Sequence, residues 1–209
     1  AVDATEVTEI TGTVSAIVTA LRGGGISTAT DYAATVNSGT ASVAQFLIIE
    51  ADTTGIITAT ISNGDLATLT TLTDVNANNV LAITVTDTTA AASDLILVAG
   101  KTSGVVDASA VTTLTGTVAQ INAAIAAVDI APTDYATTLS AGTEAATDIT
   151  TLAGVDGTGT VDLSAVTTLT GTVAEINAAI AAGTAPTNYA TTLSAGTEAA
   201  TDNTTLAGA

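Results

Sequence analysis

Carboxylates are the most numerous groups in this sequence that could do chemistry. The 209-residue chain contains 20 Asp and Glu but only 2 Lys and Arg, and it has no His and no Cys. Without His or Cys it cannot form a Ser-His-Asp triad, a thiol nucleophile, a zinc site of the usual kind or a disulfide. A net charge of −18 excludes nucleic-acid binding through phosphate contacts. We therefore predict no nucleic-acid partner.

The carboxylates form no recognisable catalytic or metal-binding pattern. Asp107 and Asp162 hold equivalent places in two copies of one segment, so neither has surroundings of its own. A calcium loop needs about six to eight converging oxygens, usually from a pattern such as D-x-D-x-D-G. The stretch 156–159 (DGTG) comes nearest, which leaves calcium as an open alternative. We predict no catalytic, cofactor-binding or metal-binding residue, no cofactor and no enzyme activity.

Long segments of the chain are repeated. Residues 106–127 (VDASAVTTLTGTVAQINAAIAA) return almost unchanged at 161–182, and residues 131–154 return at 185–208. Residues 2–17 are a diverged copy of the first segment. Self-similarity at a fixed period is the signature of a repeat architecture. We predict a single repeat array over 1–209, with approximate long repeats 2–54, 55–104 (diverged), 105–159 and 160–209.

Each long repeat divides into two halves, and each half has an extended stretch, a turn and a helix-like stretch. Alternating apolar residues such as Leu81, Ile83 and Val85 favour strands with one buried face. Thr117–Gln120 and Thr172–Glu175 fit the capping box that begins a helix. The halves are marked by their last apolar residue before the turn, which is Ile10, Val36, Ile61, Val85, Leu114, Leu139, Leu169 or Leu193.

This pattern predicts an α/β fold. We expect an open solenoid of about eight strand–turn–helix repeats, with a parallel β-sheet on one side and short helices on the other. A closed βα barrel is the alternative, but a barrel fills its interior with bulky side chains. The residues that flank the marker residues are mainly Thr and Ser. The solenoid is therefore the favoured architecture.

Small hydroxyl side chains precede most of the marker residues. Because they flank a buried residue, they point to the opposite face of the strand, and strands stacked in register would align them in a ladder. Such a face is either a solvated surface or a surface that binds ice, mineral or glycan, and O-glycosylation is a further alternative. The candidate ladder consists of Thr35, Thr60, Thr84, Thr113, Thr138, Thr168 and Thr192.

The composition favours a folded chain rather than an acidic disordered one. Hydrophobic residues make up 47% of the sequence and charged residues 11%. No run of about 18 apolar residues occurs, so we predict no membrane insertion. The first residues show neither a basic stretch nor an initiator Met. We expect the chain to be a piece of a longer protein.

The repeated segments VDASAVTTLTGTVAQINAAIAA and YATTLSAGTEAATDITTLAG resemble the Thr/Ala-rich tandem repeats of very large secreted surface proteins of aquatic bacteria, cyanobacteria among them. The resemblance implies an extracellular, cell-surface location and a non-catalytic structural or adhesive repeat region. The alternative function is a ligand-binding module that uses the Thr ladder. The implied partners are neighbouring repeats of a longer parent chain, with glycan or other surfaces and self-association as open alternatives.

Overall fold

The structure is a computed structural model that describes residues 2–73, 78–157 and 159–194. These residues form short strands and seven helices. The helices are α1 (Val14–Arg22), α2 (Val43–Glu50), α3 (Leu66–Leu69), α4 (Ala92–Ala99), α5 (Val118–Ala127), α6 (Ala146–Ala153) and α7 (Val173–Ala182). The eighth helix, expected after Leu193, lies outside the described residues.

Fifteen strands alternate with these helices in the described part of the chain. They are β1 (Val2–Ala4), β2 (Glu9–Thr13), β3 (Ile26–Thr28), β4 (Ala33–Ser38), β5 (Ile57–Thr60), β6 (Val80–Thr84), β7 (Thr89–Ala91), β8 (Val106–Asp107), β9 (Thr113–Gly116), β10 (Ala136–Leu139), β11 (Thr143–Ala145), β12 (Val161–Asp162), β13 (Thr168–Gly171), β14 (Gly183–Thr184) and β15 (Ala190–Leu193).

All strand pairs among these residues are parallel, and they form four open sheets. The sheets have the orders β1-β3, β2-β4-β5-β6-β8, β7-β9-β10-β12-β14 and β11-β13-β15. The predicted α/β class with parallel strands is therefore confirmed. None of the four sheets closes on itself over the described ranges, so these residues do not form the alternative closed barrel.

Two compact units divide the chain. The first unit comprises residues 1–87, 94–110 and 127–131, and it contains the sheets β1-β3 and β2-β4-β5-β6-β8. The second unit comprises residues 88–93, 111–126 and 132–209, and it contains the other two sheets. The single array over 1–209 stays a prediction.

The core of each unit lies on the strand face that the marker residues predict. Leu114 and Leu169 are fully buried, as is Val85. The strand alternation therefore follows the sequence pattern, with apolar side chains on one face and Thr on the other. Two marker residues differ, since Ile10 is half-buried and Leu193 is 43% exposed. Both lie on strands at the edge of a sheet, β2 and β15.

Side-chain caps begin several helices. The backbone N–H of Glu175 donates to Thr172 Oγ1, and the backbone N–H of Thr172 donates to the Glu175 carboxylate, as predicted. Thr117 and Gln120 make the equivalent pair at α5. On α5 the buried residues are Val118, Ile121 and Ala124, whereas Ile125 is only half-buried. The helix therefore turns the small Ala124, rather than the larger Ile125, toward the core.

Glycines allow the closest approaches between neighbouring strand segments. A Cβ at Gly55 would overlap the carbonyl oxygen of Tyr32, and a Cβ at Gly104 would overlap that of Leu81. No larger residue fits these two positions unless the backbone moves. The glycines therefore hold successive segments of the first unit in contact.

Candidate functional site

None of the seven threonines of the candidate ladder is buried in the core. Thr60, Thr84 and Thr192 are exposed, and the other four are half-buried on the outward face of their strands. The sequence pattern therefore predicted the orientation of these side chains correctly. Whether this face binds a ligand stays a prediction.

The strand register does not align these threonines with one another. Thr113 pairs with Thr89 on one side and with Ala136 on the other, two residues before the expected partner Thr138. Thr138 instead pairs with Thr115 and Asp162. No two of the seven are partners in any described strand pair, so the continuous ladder does not form. A register shift of two residues keeps every side chain on its face, and the apolar pattern therefore cannot detect it.

Shorter rows of polar side chains replace the ladder. In the first unit, Thr11, Thr35 and Thr58 lie side by side on β2, β4 and β5. The Thr35 hydroxyl also donates to a Glu9 carboxylate oxygen over 2.9 Å. In the second unit, the row that contains Thr138 runs Thr115, Thr138, Asp162 and Thr184. Asp162 gives this row a charge that sequence reasoning missed.

Three helix N-termini are capped by side chains from the next segment of the chain. The backbone N–H of Val43, which begins α2, donates to Asn63 Oδ1 over 2.9 Å. The N–H of Leu66 in α3 donates to Asp87 Oδ2 over 2.7 Å. The N–H of Val118 in α5 donates to Glu144 Oε1 over 3.3 Å. Each acceptor pairs with a backbone N–H that has no partner within its own helix. The three acceptors are Asn63, Asp87 and Glu144.

Strand N–H groups use the same kind of partner. The backbone N–H of Ile57 donates to Asn79 Oδ1 over 2.9 Å, and that of Val106 donates to Asp129 Oδ2 over 2.8 Å. Asn79 is completely buried. We call the acceptors Asn63, Asn79, Asp87, Asp129 and Glu144 the clasp residues. They lie 20 to 26 residues after the N–H groups they accept from. The sequence analysis assigned no role to these five residues.

The repeat-equivalent aspartates make local turns instead. Asp107 accepts the backbone N–H of Ser109, and Asp162 accepts that of Ser164, both over 2.9 Å. The hydrogen bonds from Ser109 lower the pKa of Asp107. These two carboxylates therefore stabilise the turn after β8 and the turn after β12.

Asp156 is the most unusual carboxylate in the second unit. It is 1% exposed, and its Oδ2 has no hydrogen-bond partner. Burial raises its pKa, and the nearby Asp134 carboxylate raises it further. Thr158 of the DGTG stretch lies outside the described residues. No group of three or more His, Cys, Asp or Glu side chains that could hold a metal lies in 2–73, 78–157 or 159–194.

A groove on the first unit combines hydroxyl and aliphatic side chains. It encloses about 430 Å³ and is lined by Thr58, Thr60, Val80, Ala82 and Val105, among others. Val80 is 39% exposed and Val105 50% exposed. The groove therefore offers both hydrogen-bonding and apolar contacts on the outward face of the sheet.

Comparisons with known proteins assign no family. No protein-family model matches the chain, and neither a curated protein nor a solved structure matches it. None of the helices in the described part has both the length and the apolar character needed to cross a membrane.

Proposed function

We propose that this chain is a non-catalytic structural and adhesive repeat region of an extracellular bacterial surface protein, built as an open solenoid of strand–turn–helix repeats. Its partners are neighbouring repeats of a longer parent chain. The proposal gives the chain a mechanical role, in which it extends or spaces other parts of the protein.

The observation that carries this proposal is the regular way in which each segment joins the next. Thr58 pairs with Val80 and Thr143 pairs with Thr168, which are steps of 22 and 25 residues along the chain. A helix lies between the two strands of each of these pairs. Contacts that link only successive segments are the basis of solenoid architecture, because further segments can be added without redesign.

The use of the polar side chains supports a structural role. The clasp residues place carboxylate and amide oxygens on backbone N–H groups of the preceding segment. Asp107 and Asp162 are engaged in turns. These groups hold successive segments of the chain together, which is a structural use of the polar side chains. The net charge of −18 favours solubility.

Removal of one long repeat tests the solenoid. Deleting residues 106–160 joins Val105 to Val161, whose sequence surroundings repeat those of Val106. We expect the shortened chain to fold cooperatively with unchanged circular dichroism per residue and a lower melting temperature. Inserting a second copy of 106–160 should raise the melting temperature, because each interface between repeats adds stability.

The control removes a stretch that is not a whole repeat. Deleting 106–147 joins Val105, which precedes strand β8, to Asp148 inside helix α6, and we expect it to abolish cooperative unfolding. Equal disruption by both deletions would contradict the solenoid. The location is tested separately, since an antibody against the chain should label intact cells of the bacterium that makes it. Labelling only after lysis would contradict the extracellular role.

The groove on the first unit supports a second candidate function, the ligand-binding module. Its threonines and exposed valines suit a glycan or another ordered surface, which meets both hydroxyl and apolar groups. A glycan array and a thermal-hysteresis measurement would detect such binding. We expect Thr58→Lys to abolish a signal that Thr147→Lys, on the exposed face of α6, leaves unchanged. No signal from the unaltered chain would exclude this candidate.

A further inference from the structure

Asn63 differs in charge from the other two clasp residues that cap helices. Asp87 and Glu144 accept a backbone N–H with a carboxylate, whereas Asn63 accepts one with a neutral amide. Asn63 and Asp87 hold equivalent places, since they follow the N–H groups they accept from by 20 and 21 residues. A carboxylate is the stronger acceptor at a helix N-terminus, because it also interacts with the positive end of the helix dipole. The first unit therefore has a neutral group where its next segment has a charged one.

Asn63 is also the one asparagine in the 209-residue sequence that a glycine follows. The backbone nitrogen of the next residue can attack the side-chain amide carbon of an asparagine, and glycine hinders this attack least because it has no Cβ. The attack closes a succinimide ring. Hydrolysis of the ring leaves aspartate or its isomer isoaspartate, in which the backbone runs through the side chain. The pair Asn63-Gly64 thus has the chemistry to turn an amide into a carboxylate.

The structure leaves the attacking nitrogen free. Residues 62–65 belong to no helix or strand, and the backbone N–H of Gly64 donates to no acceptor in the described part of the chain. Asn63 and Gly64 are half-buried, so water reaches both. The Gly64 carbonyl accepts the N–H of Thr86 over 2.9 Å, and the Thr86 side chain occupies the space that a Cβ at position 64 would need. The fold therefore requires glycine at this position and keeps its nitrogen unpaired.

The start of α2 activates the amide for this attack. The backbone N–H of Val43 donates to Asn63 Oδ1 over 2.9 Å. Because α2 begins at Val43, this N–H lies at the positive end of the helix dipole. Attack on Cγ of Asn63 moves negative charge onto Oδ1, and a backbone donor held on that oxygen stabilises the charge as an oxyanion hole does. The clasp that holds the segment in place thus also lowers the barrier to the reaction.

We propose that Asn63 is a self-modification site, at which the folded chain converts this amide to a carboxylate without an enzyme. The Gly64 nitrogen forms a bond to Cγ of Asn63, the bond from Cγ to Nδ2 breaks, and the proton of the Gly64 N–H leaves with the amide nitrogen as ammonia. One water molecule then adds to Cγ, the bond from Cγ to the Gly64 nitrogen breaks, and a proton returns to that nitrogen. In sum, amide and water give carboxylate and ammonium. The inference does not depend on the surface role proposed above.

The fold also selects the product of the hydrolysis. Water that attacks Cγ gives aspartate, whereas water that attacks the backbone carbonyl carbon gives isoaspartate. The Val43 N–H activates Cγ alone, so aspartate forms in preference. Aspartate at position 63 keeps an oxygen on the Val43 N–H as a charge-assisted hydrogen bond. Isoaspartate would lengthen the backbone and move the Gly64 carbonyl away from the Thr86 N–H. The converted chain therefore carries carboxylates at both equivalent places, 63 and 87.

Peptide mass spectrometry of the 209-residue chain during incubation at neutral pH tests the proposal, and an isoaspartyl methyltransferase assay separates the two products. In the folded chain we expect Asn63 to convert before any other asparagine, with aspartate in excess over isoaspartate. In urea, where α2 no longer holds the amide, we expect isoaspartate to be in excess. An amide that persists at position 63 in the folded chain while it converts in urea would overturn the proposal. Isoaspartate as the main product of the folded chain would overturn it too.

A matched pair of variants isolates the Val43 N–H. Val43→Pro removes this donor but suits the first position of a helix, and Ser42 before it already has the extended backbone that precedes proline. Val43→Ala shortens the side chain and keeps the N–H. With both folds checked by circular dichroism, we expect conversion in Val43→Pro to be at least about tenfold slower than in Val43→Ala and to lose its preference for aspartate. Equal rates and products in the two variants would overturn the proposal.

The variant Asn63→Asp reproduces the proposed product. We expect its melting temperature to lie about 1–4 °C above that of the freshly prepared chain, because a carboxylate replaces the amide at the N-terminus of α2. A fully converted sample should reach the same melting temperature. A lower value for Asn63→Asp would contradict the clasp that we assign to the product.

Discussion

Two stretches of this molecule have the same six residues and different surroundings. In residues 135–140, Tyr135, Thr137 and Leu139 are each 3% exposed or less. In residues 189–194, Tyr189 is half-buried, and the residues equivalent to Thr137 and Leu139 are exposed. The sequence of a strand therefore decides which face its apolar side chains share. Whether that face is covered depends on the segment that packs against it.

The largest expected effect comes from shortening the equivalent leucines. Leu139→Ala should lower the free energy of unfolding by about 2–5 kcal/mol, because it leaves a cavity in a packed core. Leu193→Ala should cost less than about 1 kcal/mol, because that side chain is already in water. Urea unfolding measures both values. Equal losses would show that β15 is as well packed as β10.

An intermediate effect is expected from the equivalent threonines. Thr137 is 1% exposed and its hydroxyl has no hydrogen-bond partner. Thr137→Val keeps the shape and removes the unpaired hydroxyl, so it should raise the free energy of unfolding by about 1–3 kcal/mol. Thr191→Val should change it by less than about 0.5 kcal/mol, because the exposed hydroxyl is solvated. The two differences are measured by the same urea titrations, and destabilisation by Thr137→Val would disprove the burial of an unpaired hydroxyl.

The smallest effect on stability is expected from two carboxylates, the buried Glu144 and the more exposed Asp107. Burial raises the pKa of Glu144 above its ordinary value of 4.5. The folded state therefore favours the protonated form, so this contribution to stability is present below the ordinary pKa and is lost as the pH rises through the raised one. Glu144→Gln keeps an acceptor for the Val118 N–H and should remove this decline, measured as the melting temperature between about pH 4 and pH 7.

The contribution of Asp107, a more exposed carboxylate, to stability changes with pH in the opposite direction. Hydrogen bonds from Ser109 lower its pKa. Its contribution to stability is present above the ordinary pKa of 3.8 and is lost as the pH falls through the lowered value. Asp107→Asn should therefore weaken the dependence of the melting temperature on pH, and only at acid pH. A Glu144→Gln variant that behaved like Asp107→Asn would contradict the burial of Glu144.

Local patterns predicted local structure well in this chain. The Thr172–Glu175 pair begins α7 as expected, and Leu114 and Leu169 are buried as the alternation indicates. The prediction of a continuous Thr ladder was wrong, because it depended on which residues of successive segments become strand partners. Thr113 and Thr138 hold equivalent places in their segments but are not strand partners. The sequence repeat sets which residues are alike, and the length of each connection sets which residues meet.

By itself, the sequence excluded a Ser-His-Asp triad, a thiol nucleophile and a disulfide. It also determined the α/β class with parallel strands, the buried strand faces and the helix caps of Thr117 and Thr172. These follow from composition, from period-two alternation and from contacts three residues apart. Only the tertiary structure decided the strand register of the threonines, the hydrogen bonds that the clasp residues Asn79 and Glu144 accept, and the exposure of Leu193. Each of these depends on how a segment of more than twenty residues closes onto its neighbour, and a slip of two residues leaves the local pattern unchanged.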